Sequence, residues 1–195
     1  KLADGTTVVG ESNIPHEAVK RDIAIDKIWI EPKDAKTYDM VVKRIQDADI
    51  IILGPGSLFT SVIPNLLVQD VVNAINQSSA PVFYIVNIMT QPGETDGFTA
   101  SDHILAIKKH TQIEKLDYVV VNTGEIDKIV LERYERESAF PVTLTDGDVE
   151  TLAKLGIKII DGDFVEEKKG YVSHDAPKIS RNLLRYVERV YKSDK

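Results

Sequence analysis

ADIIILGPGSLFTSVIPNLLV, residues 48–68, decides how the chain is read. It begins as an unbroken apolar run, Ile50-Ile51-Ile52-Leu53, the pattern of a strand buried on both faces. The run breaks at Gly54-Pro55-Gly56, and Ser57, Thr60 and Ser61 follow in what reads as a first helical turn. A strand, a glycine turn and a helix start gather backbone N–H groups into a concave anion site. The three hydroxyls can add hydrogen bonds to phosphate oxygens. The motif is neither a Walker loop nor G-x-G-x-x-G. A plain turn with Ser57 as N-cap therefore stays open beside the phosphate reading.

Outward from this stretch, strands and helices alternate. Asp34–Asp47 reads as a helix, Val68–Asn76 as another, and Pro81 opens the strand Val82–Val86. Thr99–His110 is predicted helical, with Thr99 and Asp102 at capping-box spacing. Tyr118–Val121 is a strand, Asp127–Ser138 a mixed-charge helix and Asp146–Leu155 a short helix closed by Gly156. Ile157–Ile160 is a strand, Asp163–Val172 a polar loop, and Asp175 caps a last helix with Ile179, Leu183, Val187 and Tyr191 along one side. Such alternation implies an α/β, Rossmann-like, three-layer architecture, a mostly parallel sheet with helices on both faces. The start reads differently. Thr6–Glu11 and Arg21–Glu31 look like strands around a Pro15-bearing loop, a small β excursion over residues 1–33 ahead of an α/β body at 34–195 in one domain.

Ligands of parallel α/β sheets bind beyond the carboxyl ends of the strands. Three polar loops stand at such ends: Gly54–Ser61, Asn87–Thr95 and Asn122–Glu125. In the second, Asn87 and Gln91 can read a sugar or base. Glu94 can take a hydroxyl or a hydrated metal, or it can cap the next helix together with Thr95. His174 stands at the entrance of the last helix, where an imidazole can meet a phosphate. His16, His103 and His110 form no metal pair, and Asp161, Asp163, Glu166 and Glu167 read as a solvated loop.

Composition narrows the classes. The chain has 195 residues, 43% apolar and 28% charged, with a net charge of −7 and no cysteine. Disulfides and thiolate metal sites are excluded. The acid balance argues against nucleic acid as a partner. Arg181, Arg185, Arg189 and Lys192 on the last helix read as a solvated face. No run reaches the roughly 18 apolar residues of a membrane helix, so no membrane insertion is expected. The absence of cysteine fits a cytoplasmic protein.

Two segments carry a likeness to a known family. ILGPGSLFTSVIPNLLV at 52–68 and VNIMTQPGETDGFTASDHI at 86–104 resemble the YvcK/CofD-like family, and its YvcK branch in particular. Asp4-Gly5-Thr6, Gly10-Glu11-Ser12 and Ser173-His174-Asp175-Ala176-Pro177-Lys178 fit the same branch. The resemblance implies a Rossmann-like fold and a cytoplasmic regulatory protein, a gluconeogenesis factor. Such proteins bind nucleotide-sugars such as UDP-N-acetylglucosamine and are linked to carbon metabolism, cell shape and cell-wall synthesis. It carries phosphate contacts onto Gly54, Gly56, Ser57, Thr60 and Ser61, and pocket roles onto Asn87, Gln91, Glu94, Thr95 and His174. The rival it implies is CofD-like 2-phospho-L-lactate transfer to a deazaflavin precursor, with Mg2+ as cofactor and Glu94 to hold it. That branch resembles Gly-Pro-Ser-Asn where this chain has Gly54-Pro55-Gly56-Ser57. Members usually open with a Gly-Gly-Gly-Thr-Gly turn. This sequence lacks it, so the likeness implies the larger, C-terminal part of such a protein. A homo-oligomer, or a scaffold docking through Glu132, Arg133 and Arg136, is compatible with the same residues.

Overall fold

A computed structural model describes the backbone of residues 1–193 and the side chains of residues 1–188. The side chains of Arg189, Tyr191 and Lys192, read above as parts of the last helix, lie outside the described residues.

Three apolar runs and a more polar fourth strand form the sheet. Strands β1 (Ile51–Leu53), β2 (Val82–Ile85), β3 (Tyr118–Asn122) and β4 (Lys158–Gly162) lie in the order β1-β2-β3-β4, all parallel. Side chains alternate across each strand. Ile51, Leu53, Val82, Tyr84, Val86, Val119 and Val121 enter the larger core, while Phe83, Ile85, Tyr118, Val120 and Ile160 enter a smaller one on the other face.

The helices distribute as the strand order requires. Right-handed crossovers that always step the same way set their helices on one face. Helices α3 (Ile63–Leu66), α4 (Gln69–Gln77), α5 (Ala100–His110) and α7 (Asp146–Lys154) all contribute to the larger core. Among the described residues, α8 (Ala176–Ser193), beyond the last strand, is the helix that reaches the other face, through Ile179 and Leu183. The three-layer α/β architecture is thus as the alternation implied. The Thr99–Asp102 capping box forms at the start of α5, and Asp175 Oδ1 accepts from Lys178 N–H at 2.9 Å at the start of α8.

Two expectations fail. The first 33 residues hold no strand. They form helix α1 (Asn13–Arg21), and the only pairing among them is an isolated bridge between Leu2 and Ile25. Pro15 sits in the first turn of α1, where a proline lacks no needed donor. The isoleucines of 23–30 mark burial on one side and not pairing, since Ile25 and Ile28 are buried without a neighbouring strand. The polar segment after β4 is no loop either. It is a hairpin of β5 (Val165–Lys168) and β6 (Tyr171–His174) with Lys168 opposite Tyr171. An exposed two-stranded ribbon needs little apolar alternation, so its composition hides it. Between them lie α2 (Asp39–Gln46), shorter than expected, and α6 (Lys128–Arg136).

Candidate functional site

The carboxyl end of β1 leads through a cis Gly54–Pro55 bond into a π-helical turn, Leu58–Val62, that continues as α3. Ser57 precedes the turn, and its C=O accepts from both Ser61 and Val62 N–H at 2.9 Å. Its side chain does not cap the turn. It accepts instead from Gln91 Nε2 at 3.0 Å, which brings the loop after β2 against the turn after β1. Gln91 is braced in turn: its N–H donates to Thr95 Oγ1 at 2.8 Å, and Asn87 Nδ2 donates to its Oε1 at 3.4 Å.

Between these loops lies a hollow of about 390 Å³. One wall is Pro55, Gly56 and Ser57, and a second runs from Asn87 to Gln91. The third wall is Val172, Ser173 and His174 from β6 with Tyr134 from α6. Tyr134 Oη accepts from Val172 N–H at 3.0 Å, so α6 and the hairpin form one wall. Phe140 holds the second wall from behind. Its C=O accepts from Thr90 N–H at 2.7 Å and its N–H donates to Thr90 Oγ1 at 2.9 Å.

Of the sequence-predicted residues, Gly56, Ser57, Asn87, Gln91 and His174 line this hollow together. Gly54 and Ser61 border a second hollow, of about 330 Å³, lined from Ile52 to Gly56 and by Ser61, Val62, Asn65 and Leu66. Thr60, Glu94 and Thr95 lie behind the walls. Thr95 is fully buried, and Glu94 accepts from Phe59 N–H at 3.0 Å and Thr60 Oγ1 at 2.9 Å. The expected third loop, Asn122–Glu125, lines neither hollow. Asn122 Oδ1 accepts from Phe164 N–H at 2.8 Å, and Gly124 is packed directly on Asp163. The hairpin takes that loop's place.

Pro55, Ile88, Met89 and Thr90 fall inside the two predicted loops, whereas Tyr134, Val172 and Ser173 are lining residues outside those loops. Ser173 does fall within the Ser173–Lys178 signature. For Tyr134 the only signal is its place on a mixed-charge helix, which says nothing of a pocket.

The electrostatics are mild. No lining residue carries a formal charge at neutral pH. Burial pushes the His174 imidazole below its usual range, partly opposed by its bond to Val86 C=O at 3.0 Å. A carbonyl only accepts, so Nε2 carries the hydrogen and Nδ1 is left as an acceptor. The Gly56 and Ser57 N–H groups have no acceptor among the described residues. The hollow thus offers uncharged donors and acceptors over an apolar floor of Ile88 and Met89. Magnesium prefers carboxylate oxygen. No lining residue supplies one, and among the described residues no group of three or more His, Cys, Asp or Glu could hold a metal ion.

Parallel strands with a polar hollow at their carboxyl ends define an α/β protein of the Rossmann-like class, with the hollow where such sheets take their ligands. The comparisons give the family. The model of 2-phospho-L-lactate transferase CofD matches residues 1–165. The chain belongs to the CofD family, in its YvcK-like branch. It is 42% identical over 184 residues to the gluconeogenesis factor of Halalkalibacterium halodurans, covering 94% of this chain and 55% of that protein. It is 36% identical over 184 residues to the gluconeogenesis factor of Bacillus subtilis, covering 94% of this chain and 56% of that protein. The crystal structure of protein BH3568 from Bacillus halodurans superposes with a TM-score of 0.86 at 42% identity, over 94% of this chain and 57% of that one. The chain thus spans about half the length of the relatives it matches. No single helix among the described residues is long and apolar enough to cross a membrane.

Proposed function

We propose that the hollow binds a nucleotide-sugar of the UDP type, and that the protein is a cytoplasmic gluconeogenesis factor acting by binding rather than by catalysis. On this reading it links the supply of the sugar to carbon metabolism, cell shape and cell-wall synthesis. The observation that carries it is the pair of unspent Gly56 and Ser57 N–H groups at a hollow shared with the Asn87 and Gln91 amides. Backbone N–H groups suit phosphate oxygens, and side-chain amides suit sugar hydroxyls and base edges. The names of the relatives agree with the factor reading, and the uncharged lining fits a ligand held by many neutral bonds.

Calorimetric titration of the full-length protein with UDP-N-acetylglucosamine tests this. Saturable binding that the double variant Ser57→Ala, Asn87→Ala weakens by about tenfold or more supports it, since each neutral bond is worth about 0.5–1.5 kcal/mol. Unchanged binding in that variant overturns it. So does turnover of a guanylylated phospholactyl donor with a deazaflavin acceptor, which would make the protein a CofD-type transferase.

A further inference from the structure

Glu94 is the one carboxylate in the Asn87–Thr95 loop, and it is 6% exposed. Its two oxygens reach the facing turn separately. Oε2 takes the Phe59 N–H and Oε1 takes the Thr60 hydroxyl. A carboxylate withdrawn from water is costly unless donors meet it. Burial pushes the Glu94 carboxyl above its usual range, and the bonds from Thr60 and Phe59 pull the other way. No lysine or arginine forms a salt bridge with it among the described residues. Two donors of the helical turn, where the sequence pattern points to a ligand phosphate, are therefore taken by a carboxylate of the chain itself.

We propose that Glu94 is a positioning residue, an internal anion seated in the Phe59–Thr60 cradle that locks the turn so that Gly56 and Ser57 present their N–H groups to the hollow. It acts through the turn and touches no ligand. Two struts then join the loops: Gln91 to Ser57 at the rim of the hollow, and Glu94 to Phe59 and Thr60 behind it. The inference rests on the nucleotide-sugar reading only for the identity of the ligand; the cradle is testable without one.

Glu94→Ala removes the anion and leaves both donors facing a space that a small carboxylate fits. Thermal unfolding is followed in sodium formate and in sodium chloride at equal ionic strength. Glu94→Ala melts below the parent, and formate raises its melting temperature saturably while leaving that of the parent unchanged. Glu94→Gln, which keeps one acceptor oxygen, falls between them. In the full-length protein, Glu94→Ala loses affinity for UDP-N-acetylglucosamine by about tenfold or more, and formate restores most of it. A melting temperature of Glu94→Ala indifferent to formate overturns the proposal, as does parental affinity without formate. If Glu94→Ala does not fold, Thr60→Val replaces it: faster hydrogen exchange at the Phe59 amide supports the cradle, and unchanged exchange overturns it. If the parent binds no UDP-sugar, the functional reading falls, and the formate response still decides the role of Glu94.

Discussion

Gln91 and Ser57, 34 residues apart in the chain, are joined by a hydrogen bond of 3.0 Å from Nε2 to Oγ. The same Gln91 is tied through its N–H to Thr95. Ser57 and Thr95 therefore share one residue as their link, although Thr95 itself reaches no solvent. The loops after two neighbouring parallel strands are held in register by side chains, because parallel strands pair along their length and leave their ends free.

That link is testable. Gln91→Ala breaks the bond to Ser57 and the one from Asn87 while leaving the N–H bond to Thr95 in place. Each lost neutral bond is worth about 0.5–1.5 kcal/mol. Calorimetry is expected to show UDP-N-acetylglucosamine binding weakened by about three- to tenfold. Parental affinity in this variant would remove Gln91 from the site.

Asp148 joins two helix starts. Its carboxylate accepts from Thr145 N–H at 2.7 Å, closing the capping box of α7, and from Ser101 N–H at 2.8 Å and Thr99 Oγ1 at 2.5 Å in the first turn of α5. Burial alone would push its pKa up, but the bonds from Ser101, Thr145 and Thr99 outweigh it and hold the carboxyl well below the usual range. Asp148→Asn replaces an acceptor oxygen by a donor among donors, at a cost of about 3 kcal/mol in urea unfolding. The depressed folded pKa also fixes the sign with pH. The contribution is complete above the unfolded value of about 3.9 and is lost as pH falls below it. The parent then loses stability on acidification below about pH 4 more steeply than Asp148→Asn.

The buried histidines act in a higher window. His103 and His174 are both pushed below the usual imidazole range by burial, each against the pull of a backbone bond, to Thr99 and Val86 respectively. The unfolded chain takes up protons near pH 6.5 and the folded chain resists them. Stability is therefore full above that pH and falls as the solution is acidified through it, by at most about 1.4 kcal/mol per pH unit for each group. His174→Asn is expected to flatten the melting-temperature profile between about pH 7 and 5. An unchanged profile would show that His174 is not held neutral.

What the sequence could disclose follows from the kind of signal each feature leaves. The central strands are apolar on both faces, so Val82–Ile85 and Tyr118–Val121 announce themselves. The Thr99–Asp102 box is equally visible, because two residues at fixed spacing make the whole motif. Alternation at Ile23–Ile30 reports a buried side but not a partner strand, and the polar hairpin reports neither. Glu94 shows the limit at the site. A carboxylate that meets a ligand hydroxyl and one that meets the chain's own Thr60 hydroxyl need the same chemistry, and only the fold separates them. Tyr134 is silent for a related reason: helical spacing reveals an apolar face but not what stands opposite a single hydroxyl.

The hairpin that carries Val172, Ser173 and His174 turns at Lys169 and Gly170, both in the left-handed region at φ 54° and 74°. A two-residue turn with both central residues left-handed favours Asn-Gly. Lys169→Asn is expected to stabilise by about 0.4–1 kcal/mol, comparable to other backbone-matched turn substitutions. It is also expected to leave ligand affinity unchanged, since Lys169 lies outside the hollow. Destabilisation in urea would mean that the Lys169 side chain does more than turn the chain.

Two glycines of the loop after β2 make a matched pair. Gly93 and Gly97 have φ of 78° and 71°, so alanine is strained by its backbone at either. Their surroundings differ. A Cβ at Gly97 meets nothing within 4 Å, whereas at Gly93 it would fall 2.3 Å from Pro15 C=O in the first turn of α1. Gly97→Ala is expected to cost about 1–2 kcal/mol, the left-handed penalty alone. Gly93→Ala adds the displacement of α1, roughly another 1–3 kcal/mol. It also shifts the segment that carries Gln91 and Glu94, so on the proposed nucleotide-sugar reading it is expected to weaken UDP-N-acetylglucosamine binding where Gly97→Ala does not. Equal unfolding free energies for the two variants would show that α1 does not brace this loop.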